Sequence, residues 1–150
     1  MKNLFEVTTL NEMKSRLARL NPDSNRQWGK MSAAQMLAHC SEWMEMAARQ
    51  TSPPRNWLGY IFGGLAKRSI LSDAPIRRNM PTERSLIVND ERDFASEQQR
   101  LALYMDRFTR LAVPNYAGSI RTAFFGPMTP EEWATLGYKH LDHHFRQFGV

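Results

Sequence analysis

Apolar residues recur along this chain at spacings of three and four, the period of an α-helix, and no stretch sustains the alternation of a half-buried strand. Thr9-Leu-Asn-Glu12 fits a capping box, in which a hydroxyl and a carboxylate each satisfy a free backbone N–H. The helix it predicts puts Leu10, Met13, Leu17 and Leu20 on one face and stops before Pro22. Ser32-Ala-Ala-Gln35 is a second box, opening a helix to about Gln50 with Met36, Cys40, Trp43 and Ala47 on its apolar side. Thr51-Ser-Pro-Pro54 breaks the pattern. Residues 56–71 read as a third helix with Trp57, Tyr60, Ile61, Leu65 and Ile70, although each glycine of Gly63-Gly64 costs roughly 1 kcal/mol there.

A polar connection follows over about residues 72–89. It holds Leu86-Ile-Val88, a run too isolated for a sheet. Asn89 or Asp90 is the expected start of a fourth helix reaching about residue 112, buried along Phe94, Leu101, Met105, Phe108 and Leu111. Residues 114–125 read as irregular. Thr129-Pro-Glu-Glu132 then supplies an N-cap, a first-turn proline and first-turn acids for a last helix to about Phe148. Five helical segments, four of them long and amphipathic, predict an all-α fold, an antiparallel bundle.

A length of 150 residues fits one domain, 1–150, with a real core. No apolar run approaches a membrane span, so no membrane-spanning segment is expected. The first residues lack the apolar core of an export signal, and a single cysteine, Cys40, makes no internal disulfide; the expected setting is cytoplasmic. A net charge of +5 allows weak attraction to polyanions. No zinc finger, basic zipper or aromatic RNA-binding signature accompanies it, so no specific nucleic acid is expected as a partner.

The chemistry lies in the histidines. Of four in the chain, three fall in His140-Leu-Asp-His143-His144, and the fourth is His39. Positions four apart share a helix face, so His140 and His144 aim at one point, beside Trp133, Gly137, Leu141 and Phe148. His143 is turned about 100° away, toward solvent or a helix seam. His39 lies at the edge of the second helix's apolar face, beside Met36 and Trp43. Three neutral imidazoles in a helical core suit a divalent metal ion such as zinc or nickel, and three ligands leave a coordination position open, as in catalytic sites. The plainer reading is a set of core-edge histidines, but inward-facing imidazoles still need partners.

Two stretches also carry a family resemblance. Arg26-Gln-Trp-Gly-Lys-Met-Ser-Ala-Ala-Gln-Met-Leu-Ala-His39 resembles the opening of helix two in the DinB/YfiT-like superfamily. Phe124-Phe-Gly-Pro-Met-Thr-Pro-Glu-Glu-Trp133 and Tyr138-Lys-His-Leu-Asp-His-His-Phe-Arg-Gln-Phe148 resemble its final helix, in a bacterial branch of unknown function. The resemblance implies a four-helix bundle of up-down-down-up type, often a homodimer, here with an extra segment in the middle. It implies a metal ion on His39, His140 and His144. It also implies a small-molecule substrate and thiol-dependent S-transfer or isomerisation, using a low-molecular-weight thiol such as bacillithiol, mycothiol or glutathione.

Other residues invite narrower expectations. Cys40 is expected as buried packing, and Trp28 and Trp43 as aromatic filler near the histidines. Glu42 is a candidate acceptor for a histidine N–H or a general base, and Asp142 is expected to balance Lys139 and Arg146. Between Arg55 and Arg84 six basic residues face two acidic ones, among Trp57, Tyr60, Phe62 and Leu65. The expectation there is a core-packing helix with solvated charges at its ends; the alternative is a basic amphipathic patch for anionic lipid or an acidic partner.

Overall fold

A computed structural model of the chain describes residues 1–48, 57–110, 120–122 and 124–150. The elements in order are α1 (Val7–Arg19), α2 (Ala33–Ala48), α3 (Trp57–Ile70), a single 3-10 turn (Arg84–Leu86), α4 (Phe94–Arg110), β1 (Ile120–Thr122), β2 (Gly126–Met128) and α5 (Pro130–Gln147). The described structure is therefore mostly helical. The expected break at Thr51–Pro54, the end of the second helix at Gln50, the start of the third at residue 56, Arg55 and Leu111 lie outside the described residues.

Helix starts follow local chemistry. Two of the three expected capping boxes form. Gln35 N donates to Ser32 Oγ (3.2 Å) while Ser32 N donates to Gln35 Oε1 (2.9 Å). Thr129 and Glu132 exchange the same pair of bonds at the head of α5. The box at Thr9–Glu12 does not form, because α1 begins earlier, at Val7 behind Glu6. Thr9 is buried and donates instead to Glu6 Oε2 (2.9 Å), and Glu12 pairs with Lys2. The fourth helix also starts elsewhere than at Asn89 or Asp90: Asp93 Oδ1 accepts from Ser96 N (2.9 Å), and the helix runs from Phe94.

The irregular stretch expected over residues 114–125 contains a strand. Ile120–Thr122 pairs antiparallel with Gly126–Met128, in the register Ile120 to Met128. Gly126 turns the chain with φ +76°, a conformation glycine adopts without strain. A ribbon of three-residue strands is too short for alternation to show in the sequence.

α1 and α2 each pack against both α4 and α5. The interior is made by Leu10, Met13 and Leu17 of α1, Met36, Leu37, Cys40 and Met44 of α2, Leu101, Met105 and Phe108 of α4, and Trp133, Leu141 and Phe145 of α5. Burying one such side chain is worth about 1.5–3 kcal/mol, against about 1 kcal/mol for a cap, so packing holds the helices together and caps set where they begin. Arg16 ties α1 to α5: its guanidinium meets Asp142 Oδ1 at 2.7 Å and the Val150 carbonyl at 2.8 Å.

α3 departs from expectation. Trp57, Leu58, Tyr60, Ile61, Phe62 and Leu65 are all exposed, and its buried positions are Gly59 and Gly63. The core-packing helix expected there is thus inverted, with its smallest side chains inward. Lys67 pins its flank, pairing with Glu132 (2.6 Å) and donating to the Pro127 carbonyl (3.0 Å). No helix among the described residues is long and apolar enough to cross a membrane.

Candidate metal centre

α2 and α5 bring His39, His140 and His144 together, with one ligand nitrogen from each lying within 4.8 Å of the others. The three rings sit 4.7–5.0 Å apart, centroid to centroid. His39 and His144 are buried and His140 is partly so. Two nitrogens bound at about 2.0–2.1 Å to one tetrahedral ion lie roughly 3.3 Å apart. The observed spacing, 3.0 Å for His39 Nε2 to His140 Nε2 and up to 4.8 Å across the group, brackets that value.

The partners of the rings fix where the protons are. His39 Nδ1 lies 2.9 Å from the Leu86 carbonyl, which can only accept, so Nδ1 carries the proton and Nε2 is a bare lone pair. Gln147 Nε2 donates to the Trp28 carbonyl (2.7 Å), which turns Gln147 Oε1 toward His144 Nδ1 at 2.9 Å. His144 Nδ1 therefore carries its proton, and its Nε2 is the free donor. His140 differs: its Nδ1 is buried with no hydrogen-bond partner, and Trp43 holds the ring instead, centroids 4.9 Å apart at 32°. Trp133 backs Trp43 at 5.3 Å.

Electrostatics keeps these rings neutral. Burial is the main cause in all three, lowering His39, holding His140 well below the usual imidazole range and taking His144 down to about 3. Mutual repulsion among the imidazoles adds to burial for His140 and His144. The donor set thus fits a divalent ion of the zinc or nickel kind: three neutral imidazoles, two of them pre-set with Nε2 as the ligand atom and their N–H groups held by a carbonyl and an amide. A cation on the Nε2 atoms would also resolve the approach of His39 and His140, whose lone pairs would otherwise confront each other unless His140 Nε2 bears its proton.

The remaining sequence candidates fall into place around this group. His143 turns from the cluster toward the loops, against the Trp28 ring (5.6 Å) and hydrogen-bonded to the Ile76 backbone, rather than into solvent or a helix seam. Cys40 is fully buried beside Met36, and burial pushes its thiol pKa up, so it is packing. Trp43 is part of the site, stacked on a candidate ligand, and Trp28 contributes its carbonyl as well as its ring. Glu42 is not the acceptor: it faces Arg92 (3.6 Å), and Leu86 O takes the His39 N–H. Asp142 meets Arg16 and, at 3.5 Å, Arg146, while Lys139 Nζ turns to the carbonyls of Ser72 and Ala74.

Sequence reasoning missed Leu86 and Gln147. A backbone carbonyl leaves no side-chain signature. Gln147 had one, its spacing of three from His144, which places it in reach along the helix. The segment 72–88 borders the site: Lys139 grips its start, Ile76 meets His143, Arg78 covers the Trp28 ring at 4.2 Å, and Leu86 closes it.

No curated protein and no solved structure matches the chain. One family model does, over residues 1–149, described as a protein of unknown function, DUF1569. With that match spanning nearly its whole length, and with a cluster of three histidines at its centre, the chain belongs to the DUF1569 family.

Proposed function

We propose that this protein is a metal-dependent enzyme acting on a small molecule, with His39, His140 and His144 holding one divalent ion, zinc or nickel. The observation that carries the reading is the convergence of three imidazole nitrogens from two helices, two of the rings backed by fixed N–H acceptors. An ion there would lower the pKa of a thiol or water and act as a Lewis acid. The reaction class this suits is S-transfer with a low-molecular-weight thiol, or hydrolysis. The same reading takes the packing of α1 and α2 against α4 and α5 as a DinB/YfiT-like four-helix bundle of up-down-down-up type, with α3 and the segment after it as the insertion.

The chain's own residues have definite parts in it. Leu86 O and Gln147 orient two imidazoles, Trp43 wedges the third, and Trp28, covered by Arg78, packs on His143 beside them. Untagged protein is expected to carry close to one equivalent of metal by elemental analysis, and His39→Ala and His140→Ala to carry essentially none. A metal-free wild type that refuses zinc and nickel in titration would remove the basis of the reading. With metal bound, transfer assays across several small thiols test the reaction class. A second reading, a non-catalytic helical interaction module with a basic contact surface and a structural ion or none, draws on the exposed side of α3, where Arg68 stands. It predicts a chelator effect on melting temperature alone, with no exchangeable coordination position.

A further inference from the structure

The outward side of α3 is the part of the surface that the metal centre does not explain. Placed at about 100° per residue, Gly59, Gly63, Ala66 and Ile70 form one side of the helix and Trp57, Leu58, Ile61, Leu65 and Arg68 the opposite side. The first set is buried or partly buried and the second is exposed, with Trp57 at 69%, Ile61 at 63% and Leu65 at 73%. Tyr60 and Phe62, also exposed, flank the second set. Contiguous apolar surface of this kind marks an interaction site.

Charge selects the occupant. From Trp57 to Ser72 there is no acidic residue, while Arg68 stands on the apolar side itself; Lys67 is turned to Glu132 on the flank. A second copy laid antiparallel on α3 would bring Arg68 to the partner helix's N-terminal end, which is positive and lacks a carboxylate to receive it. An anionic bilayer surface offers what this side lacks: hydrocarbon for Ile61, Leu65 and Leu58, an interfacial zone suited to Trp57 and Tyr60, and negative headgroups for Arg68. At 14 residues the helix is about 21 Å long, fit to lie in the interface and too short to span. We infer that α3 is a peripheral membrane-docking helix for anionic phospholipid.

The test is co-sedimentation of the intact, metal-loaded protein with vesicles. Binding is expected to vesicles of phosphatidylcholine with about 30% phosphatidylglycerol, to be weak on phosphatidylcholine alone, and to fall as salt is raised. The double substitution Ile61→Asp with Leu65→Asp is expected to cut partitioning by at least about tenfold, and Arg68→Glu by about fivefold or more. These positions are exposed, and retained melting temperature and metal content confirm that the variants are folded. A further measurement uses the unperturbed helix: brominated lipid should quench wild-type tryptophan fluorescence, and Trp57→Phe should abolish most of that quenching. No binding to the mixed vesicles, or undiminished binding by the folded double variant, overturns the inference. So does a concentration-dependent dimer abolished by the same double substitution, which would give this side of α3 to a second copy.

Discussion

At the scale of single residues, what distinguishes this chain is how unequally its three imidazoles are held. His39 and His144 each give an Nδ1–H to a fixed acceptor, whereas His140 Nδ1 has no such partner and its ring rests on Trp43. Gln147 matters most among the supports, because one amide serves both His144 and the Trp28 carbonyl. Gln147→Leu should weaken metal binding about 10- to 100-fold, measured by competition with a chromogenic chelator, since it frees the His144 tautomer. It should also cost about 1–3 kcal/mol in urea unfolding, because the Trp28 carbonyl loses its donor. Protons test the same rings. Folded, His39, His140 and His144 protonate below the unfolded value near 6.5, so the unfolded chain binds more protons once pH drops under that value. Stability of the chelator-treated protein is therefore complete above about pH 6.5 and is lost progressively below it. Its melting temperature should be level from about pH 8 to 7 and fall from about 6.5 to 5; a flat profile through that range would contradict the burial of these groups.

At the scale of elements, side-chain pattern announced helices well and their limits less well. Ser32–Gln35 and Thr129–Glu132 form the boxes their spacing suggests, because nothing nearby competes for the hydroxyls. Thr9 sits in the same kind of motif but is drawn into the core and answers to Glu6, so the motif is present without its function. Thr129→Ala should accordingly cost about 1 kcal/mol in denaturant unfolding, and Thr9→Ala should not act by uncapping α1. The identities of His39, His140 and His144 were legible from helical phase, since each lies on or beside an apolar stripe. The acceptors were not, because Leu86 contributes only a carbonyl from a turn that no periodicity marks. α3 misled for a related reason: composition reports that a helix is apolar, but which side turns inward depends on what packs there, and here glycines do.

At the scale of the whole molecule, α1 is bound to α5 through Arg16, whose guanidinium reaches both Asp142 and the Val150 carbonyl and lies 5.6 Å from the centre of the Phe145 ring. Arg16→Ala should lower unfolding free energy by about 1–3 kcal/mol in urea, since the Val150 carbonyl loses its donor and Asp142 keeps only the more distant Arg146. A change below 0.5 kcal/mol or so would show the tie to be superficial. One more consequence follows from where the histidines stand in the chain. His39 and His140 are 101 positions apart, yet their nitrogens are 3.0 Å from each other. During synthesis the first of them waits, ring in hand, until α5 has left the ribosome and docked. An ion that needed all three rings would therefore bind only once α5 has docked against α2. By mass action such an ion would favour the docked fold over every state in which the three rings are apart, so that metal supply would act as a form of quality control on the chain.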